Sequence, residues 1–101
     1  MHVQIINFRL DGVSEAEYVA LCDDLARAYA EVPGLNRKVW IANPDTGTYG
    51  GVCFWRDRKA MEEFATTDLF ASVANHPNLA DIEVSDFAVL EAPMRVTRGE
   101  F

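Results

Sequence analysis

The chain has 101 residues, half of them hydrophobic by a wide count, enough for one domain with a modest core and too few for two. Nine Lys plus Arg against sixteen Asp plus Glu leave a formal charge of −7, which repels phosphate backbones and anionic lipid and argues against nucleic acid or a membrane surface as partner. No apolar run approaches the roughly 20 residues that span a bilayer, and "MHVQIINFRLDG" lacks a basic region ahead of a long apolar stretch, so a soluble, cytoplasmic protein is expected.

"HVQIINFRL" is rich in β-branched and aromatic residues and ends at Asp11-Gly12, which predicts a strand and a turn. Alternation puts Ile6, Phe8 and Leu10 on one side and Val3, Ile5, Asn7 and Arg9 on the other. In "SEAEYVALCDDLARAYAEV", Ser14 followed three residues later by Glu17 forms a capping box, and Tyr18, Leu21, Cys22, Leu25, Ala28, Tyr29 and Val32 recur at helical spacing until Pro33-Gly34. "LNRKVWIAN" and "YGGVCFWRD" read as two strands joined through the turn residues of "PDTGT".

Asp57 caps a second helix starting near Arg58 and running to Asn75, with Thr66-Thr67-Asp68 as a second capping point. Pro77 ends it, "DIEVSDFAVLE" gives a fourth strand, and residues 92–101 are expected to form an extended tail of the single 1–101 domain. The order βαββαβ predicts a ferredoxin-like α+β fold, a four-stranded antiparallel sheet with two helices on one face. Val52 and Phe54 on one side of strand three and Cys53 and Trp55 on the other leave it apolar on both. The sheet therefore needs a second cover, and a second copy of the chain across a two-fold axis supplies it, giving a homodimer joined sheet to sheet.

Several residues invite a chemical reading. Trp40 and Trp55 can stack on an aromatic ligand or fill a core. Asn7 interrupts an apolar row, so its amide needs a partner: a ligand, a water or a neighbouring group. His76 is the histidine away from the N-terminus, suited either to general-base work near neutral pH or to closing a helix C-terminus in "ANHP". Arg9, Arg37 and Lys38 are candidates to hold a carboxylate or enolate, or solvated strand-end charges. Cys22 and Cys53 form no CxxC pair, and with His2 and His76 as the histidines no metal site is expected. Free thiols are the expected state, a disulfide the alternative. No Rossmann-type glycine loop occurs.

"KVW" on strand two, "GGV.F..D" on strand three and its exit, a helix with "A..F", and "DFAVLEAPMRVTRG" resemble the YdhR-type monooxygenases over nearly the whole chain. The resemblance implies a dimeric α/β barrel similar to the antibiotic-biosynthesis monooxygenases. It further implies oxidation of a small aromatic or polyketide-like compound by O2 with no cofactor. Pocket walls carried over are Trp40, Cys53, Trp55, Phe64 and Phe70, with His76 and Asn7 as catalytic candidates. Ala42 and Cys53 stand where members often carry an acidic residue and an aromatic hydroxyl. The same fold hosts non-redox lyases, isomerases and cyclases, haem degraders and non-catalytic binding dimers. For the haem branch Asn7 fits, but Phe64 and Ala74 occupy the matching second-helix positions and His76 falls two residues late.

Overall fold

A computed structural model describes residues 1–100. Strand β1 (His2–Leu10) leads into helix α1 (Glu15–Tyr29), strands β2 (Leu35–Asn43) and β3 (Thr48–Trp55), helices α2 (Arg58–Phe64) and α3 (Asp68–Ala74), strand β4 (Leu79–Ala88) and helix α4 (Glu91–Val96). The four strands form one antiparallel sheet in the order β2-β3-β1-β4, the expected ferredoxin-like arrangement. Among the described residues no helix is long and apolar enough to cross a membrane.

Local chemistry explains most boundaries. Ser14 Oγ accepts from the Glu17 backbone N–H while Glu17 returns a bond to the Ser14 N–H, so two otherwise orphaned donors at the start of α1 are satisfied. Asp57 Oδ1 accepts from the Ala60 N–H at 2.8 Å and starts α2. The anticipated second helix is broken in two. Thr67 Oγ1 donates to the Phe64 carbonyl and accepts from the Phe70 N–H, ending one segment and capping the next.

Two expectations are corrected. The fourth strand begins at Leu79 and ends at Ala88, earlier than "DIEVSDFAVLE" suggested, because Asp81 adopts φ 53 within a bulge that lets pairing start ahead of it. The tail expected to be extended from residue 92 instead turns into α4. Pro93 lies in its first turn, where no intrahelical N–H donor is required; residue 101 lies outside the described residues.

His2, Gln4, Ile6 and Phe8 of β1 and Tyr49, Cys53 and Trp55 of β3 are buried beneath the helices. Phe8 and Tyr49 meet Tyr18 of α1 edge-on at 5.7 and 5.4 Å, and Trp55 meets Phe64 of α2 at 5.1 Å. Among the described residues the two buried polar side chains are paired: His2 Nε2 with Asp86 Oδ2 at 2.6 Å, and Gln4 Oε1 accepting from Trp55 Nε1–H at 3.2 Å. The opposite, helix-free face carries Val3, Ile5, Val39, Ile41, Val52, Phe54 and Phe87 in cross-strand register. Val39 is 43%, Ile41 37% and Phe87 55% exposed, so this chain alone leaves an apolar sheet face open.

Candidate functional site

Helix α1 stands off the edge strand β2, and the space between them is a groove. Its larger part, about 350 Å³, has Tyr18, Cys22, Ala26, Trp40 and Tyr49 in its walls and Glu15 and Asp23 at its margin. A second part, about 290 Å³, is bounded by Tyr29, Leu35, Lys38 and again Ala26 and Trp40. Trp40 is thus common to both parts. It is half-buried and meets Tyr29 edge-on at 5.7 Å.

Beneath Trp40 lies an ammonium group. Lys38 Nζ sits 3.8 Å from the Tyr29 ring centroid, 4.5 Å from that of Trp40 and 3.7 Å from Cys53 Sγ. Two backbone features put it there. A bulge between Leu35 and Arg37 resets the alternation of β2, so that Leu35 as well as Lys38 and Trp40 turns toward the helices. Gly51 leaves the space empty: a Cβ there would lie 2.9 Å from Lys38 Nζ. Among the described residues Lys38 makes no ion pair with a carboxylate, and burial lowers its pKa, partly opposed by Cys53. Burial raises the Cys53 thiol, with Lys38 pulling the other way. The Tyr18 and Tyr29 phenols are likewise raised by burial, so all three groups stay protonated at neutral pH.

A small interior cavity of about 20 Å³ lies behind this wall, between sheet and helices. Tyr29, Lys38 and Trp40 border both the cavity and the outer groove.

The residues singled out in the sequence are dispersed. Trp40 lines the groove, and Cys53, fully buried, reaches it through Lys38. Trp55 is also fully buried, and with Phe64 and Phe70 it forms a packed aromatic row beyond the groove, Phe64 and Phe70 meeting at 5.5 Å. Asn7 is half-buried on the helix-free face, in register with Gly50 and Glu83, and borders a separate polar hollow with Arg9, Thr48 and Asp81. Its row faces away from the helices. His76 borders a third hollow with Val13, Glu17 and Asn78, and its Nδ1 accepts from the Asn78 N–H at 3.2 Å, so it serves the turn after α3. Asn7 and His76 therefore lie on opposite sides of the sheet. Cys22 and Cys53 are free thiols, and among the described residues no three His, Cys, Asp or Glu side chains gather as metal ligands.

Lys38, which the sequence leaves between a holder of substrate charge and a solvated strand-end charge, is the residue whose importance the sequence understates. Its one signal was parity, since it stands two positions before Trp40 and shares that face.

Several solved structures share the fold. A mutant of SnoaB, a cofactor-independent oxygenase from Streptomyces nogalater, is 21% identical, with 89% of this chain and 94% of that one covered and a TM-score of 0.71. An antibiotic biosynthesis monooxygenase from Deinococcus radiodurans, so described provisionally, is 15% identical, with 91% and 95% covered and a TM-score of 0.73. The haem degrader MhuD from Mycobacterium tuberculosis, with two haems bound in its active site, is 19% identical, with 89% and 96% covered and a TM-score of 0.71. At such identities the likeness is one of fold. Comparison with curated proteins returns no match. The family described as "Putative mono-oxygenase ydhR" matches residues 3–100, and the chain belongs to that family.

Proposed function

We propose that this protein is a cofactor-independent mono-oxygenase that oxidises a small aromatic or polyketide-like compound with O2 in the groove between α1 and β2, working as a homodimer. The observation that carries the reading is the groove itself. It offers space on the scale of a small ring system, an aromatic wall centred on Trp40 and a cation just beneath that wall.

The chemistry asks little of the protein beyond binding, charge and access. A substrate carbon next to a phenol or ketone loses a proton; the resulting anion passes electrons to O2, and a carbon–oxygen bond forms. Loss of water from the protonated peroxide leaves a carbonyl, so that SH2 + O2 gives S=O + H2O with no outside reductant. Trp40 stacks on the ring, while Lys38 stabilises negative charge on the substrate oxygen from close range, where low dielectric strengthens the interaction. Support for the dimer comes from the apolar helix-free face, which a second copy would cover.

The test is oxygen uptake by metal-free protein across a panel of anthrones and hydroxynaphthalenes, with ¹⁸O2 as label. One labelled oxygen per product molecule is expected. Turnover that persists without O2 would instead identify a lyase, isomerase or cyclase, and silence across the panel would count against catalysis.

A further inference from the structure

The interior cavity raises its own question, because it is much smaller than the groove yet shares Tyr18, Tyr29, Lys38 and Trp40 with it. Ile6, Leu25, Val73 and Leu79 give it apolar walls, and the bare backbone of Gly50 and Gly51 forms another part. Its size suits one water or one diatomic molecule. A buried water is held by two to four polar partners; the polar side chains in this lining are Lys38, Trp40 and the Tyr18 and Tyr29 phenols, and the rest of the wall is hydrocarbon, phenyl ring and glycine backbone. An apolar gas requires no such partners. The single charged residue in the lining is Lys38, whose Nζ ends over Gly51.

We infer that this cavity is the seat of dioxygen and that Lys38 is the residue that activates it. The assignment deepens the mono-oxygenase reading and, for its catalytic part, rests on it. The difficult step in oxidation by O2 without a cofactor is the first electron transfer, which turns a neutral gas into an anion. A substrate anion stacked on Trp40 gives one electron to O2 across the partition of Tyr29, Lys38 and Trp40, leaving a substrate radical and superoxide. The fixed ammonium stabilises the charge as it develops, without solvent reorganisation. A rotamer change in the partition joins the two spaces, and the radical pair closes a carbon–oxygen bond. Protonation gives the hydroperoxide, which loses water as its O–O bond breaks and a second hydrogen leaves the carbon. All electrons come from the substrate. Burial, which lowers the Lys38 pKa, also marks this as an ammonium held at a cost to the fold.

Two measurements test the assignment. Dissolved O2 is paramagnetic and speeds relaxation of nuclei near where it resides, so methyl NMR under nitrogen and under several atmospheres of O2 reads the seat directly, with no turnover needed. Methyl groups of Ile6, Val73 and Leu79 should relax several-fold more strongly than that of Met61, a similarly buried residue in the other core cluster. Equal enhancement would overturn the seat. The second measurement is K38M, whose folding the same methyl spectrum reports. Its kcat/KM for O2, measured at saturating aromatic substrate, should fall at least tenfold. An unchanged kcat/KM for O2 would overturn the role of Lys38. A wild-type protein silent toward every aromatic would sink the mono-oxygenase reading and with it the catalytic role, while the relaxation data would still decide the gas seat.

Discussion

Lys38 Nζ stands 3.7 Å from Cys53 Sγ, a cation and a protonated thiol side by side beneath the helices. Because burial lowers the lysine pKa from its ordinary value, the unfolded chain binds more protons than the folded one between the folded and the unfolded pKa. Stability contributed through Lys38 therefore rises with pH across that window and is lowest below it. K38M should accordingly be more stable than the parent at pH 7, by about 1 kcal/mol or more by analogy with other buried charges replaced by apolar groups. The advantage should shrink toward pH 10. Urea denaturation of both proteins at the two pH values measures it, and a less stable K38M at neutral pH would show that the ammonium is well solvated.

Trp40 is expected to act on ligands rather than on folding. W40A opens the shared wall of the groove, and affinity for an aromatic probe such as 2-naphthol should fall about tenfold, equivalent to about 1.4 kcal/mol. Isothermal titration gives the affinity and circular dichroism the fold; undiminished binding would move the site elsewhere.

Trp55 behaves oppositely. Its indole N–H is satisfied inside the core by Gln4, so Q4L leaves that donor buried without a partner and should cost about 1 to 3 kcal/mol. The Q4L/W55F double variant should lose less than the sum of its single changes, since both partners then disappear together. Additive losses in a double-mutant cycle would mean that the bond contributes nothing.

The open sheet face sets the fourth expectation. Ile5 and Val52 are opposed in register at its centre, and a lysine in place of either would be buried without a counter-charge in a sheet-to-sheet dimer. Sedimentation equilibrium should give a dimer for the parent protein and a monomer for V52K. A monomeric parent at micromolar concentration would remove the dimer from the proposal.

Much of this was readable from residue order. The Ser14–Glu17 box and the stripe that follows fixed α1, and the strand order followed from alternation and short connections. The site was less legible, because its decisive residue depends on long-range facts. Nothing local shows that β2 bulges after Leu35, that Gly51 leaves room for an ammonium group or that Tyr29 arrives above it. The side on which Asn7 lies was illegible for a related reason: β1 is apolar on both faces, and periodicity alone does not say which face the helices cover. The tail was less legible because its polar composition hides a short helix, in whose first turn Pro93 is tolerated.

The Thr67 hydroxyl between α2 and α3 does more than divide a helix. In one unbroken helix, Phe64 and Phe70 would point about 120° apart, since six residues turn the chain by about 600°. The corner at Thr67 cancels that divergence and brings the two rings edge to face. Phe64 can then serve Trp55 and Tyr29 while Phe70 packs against both core clusters. Two short segments thereby span both halves of the interior, which a single straight rod of this length could seal on one side only.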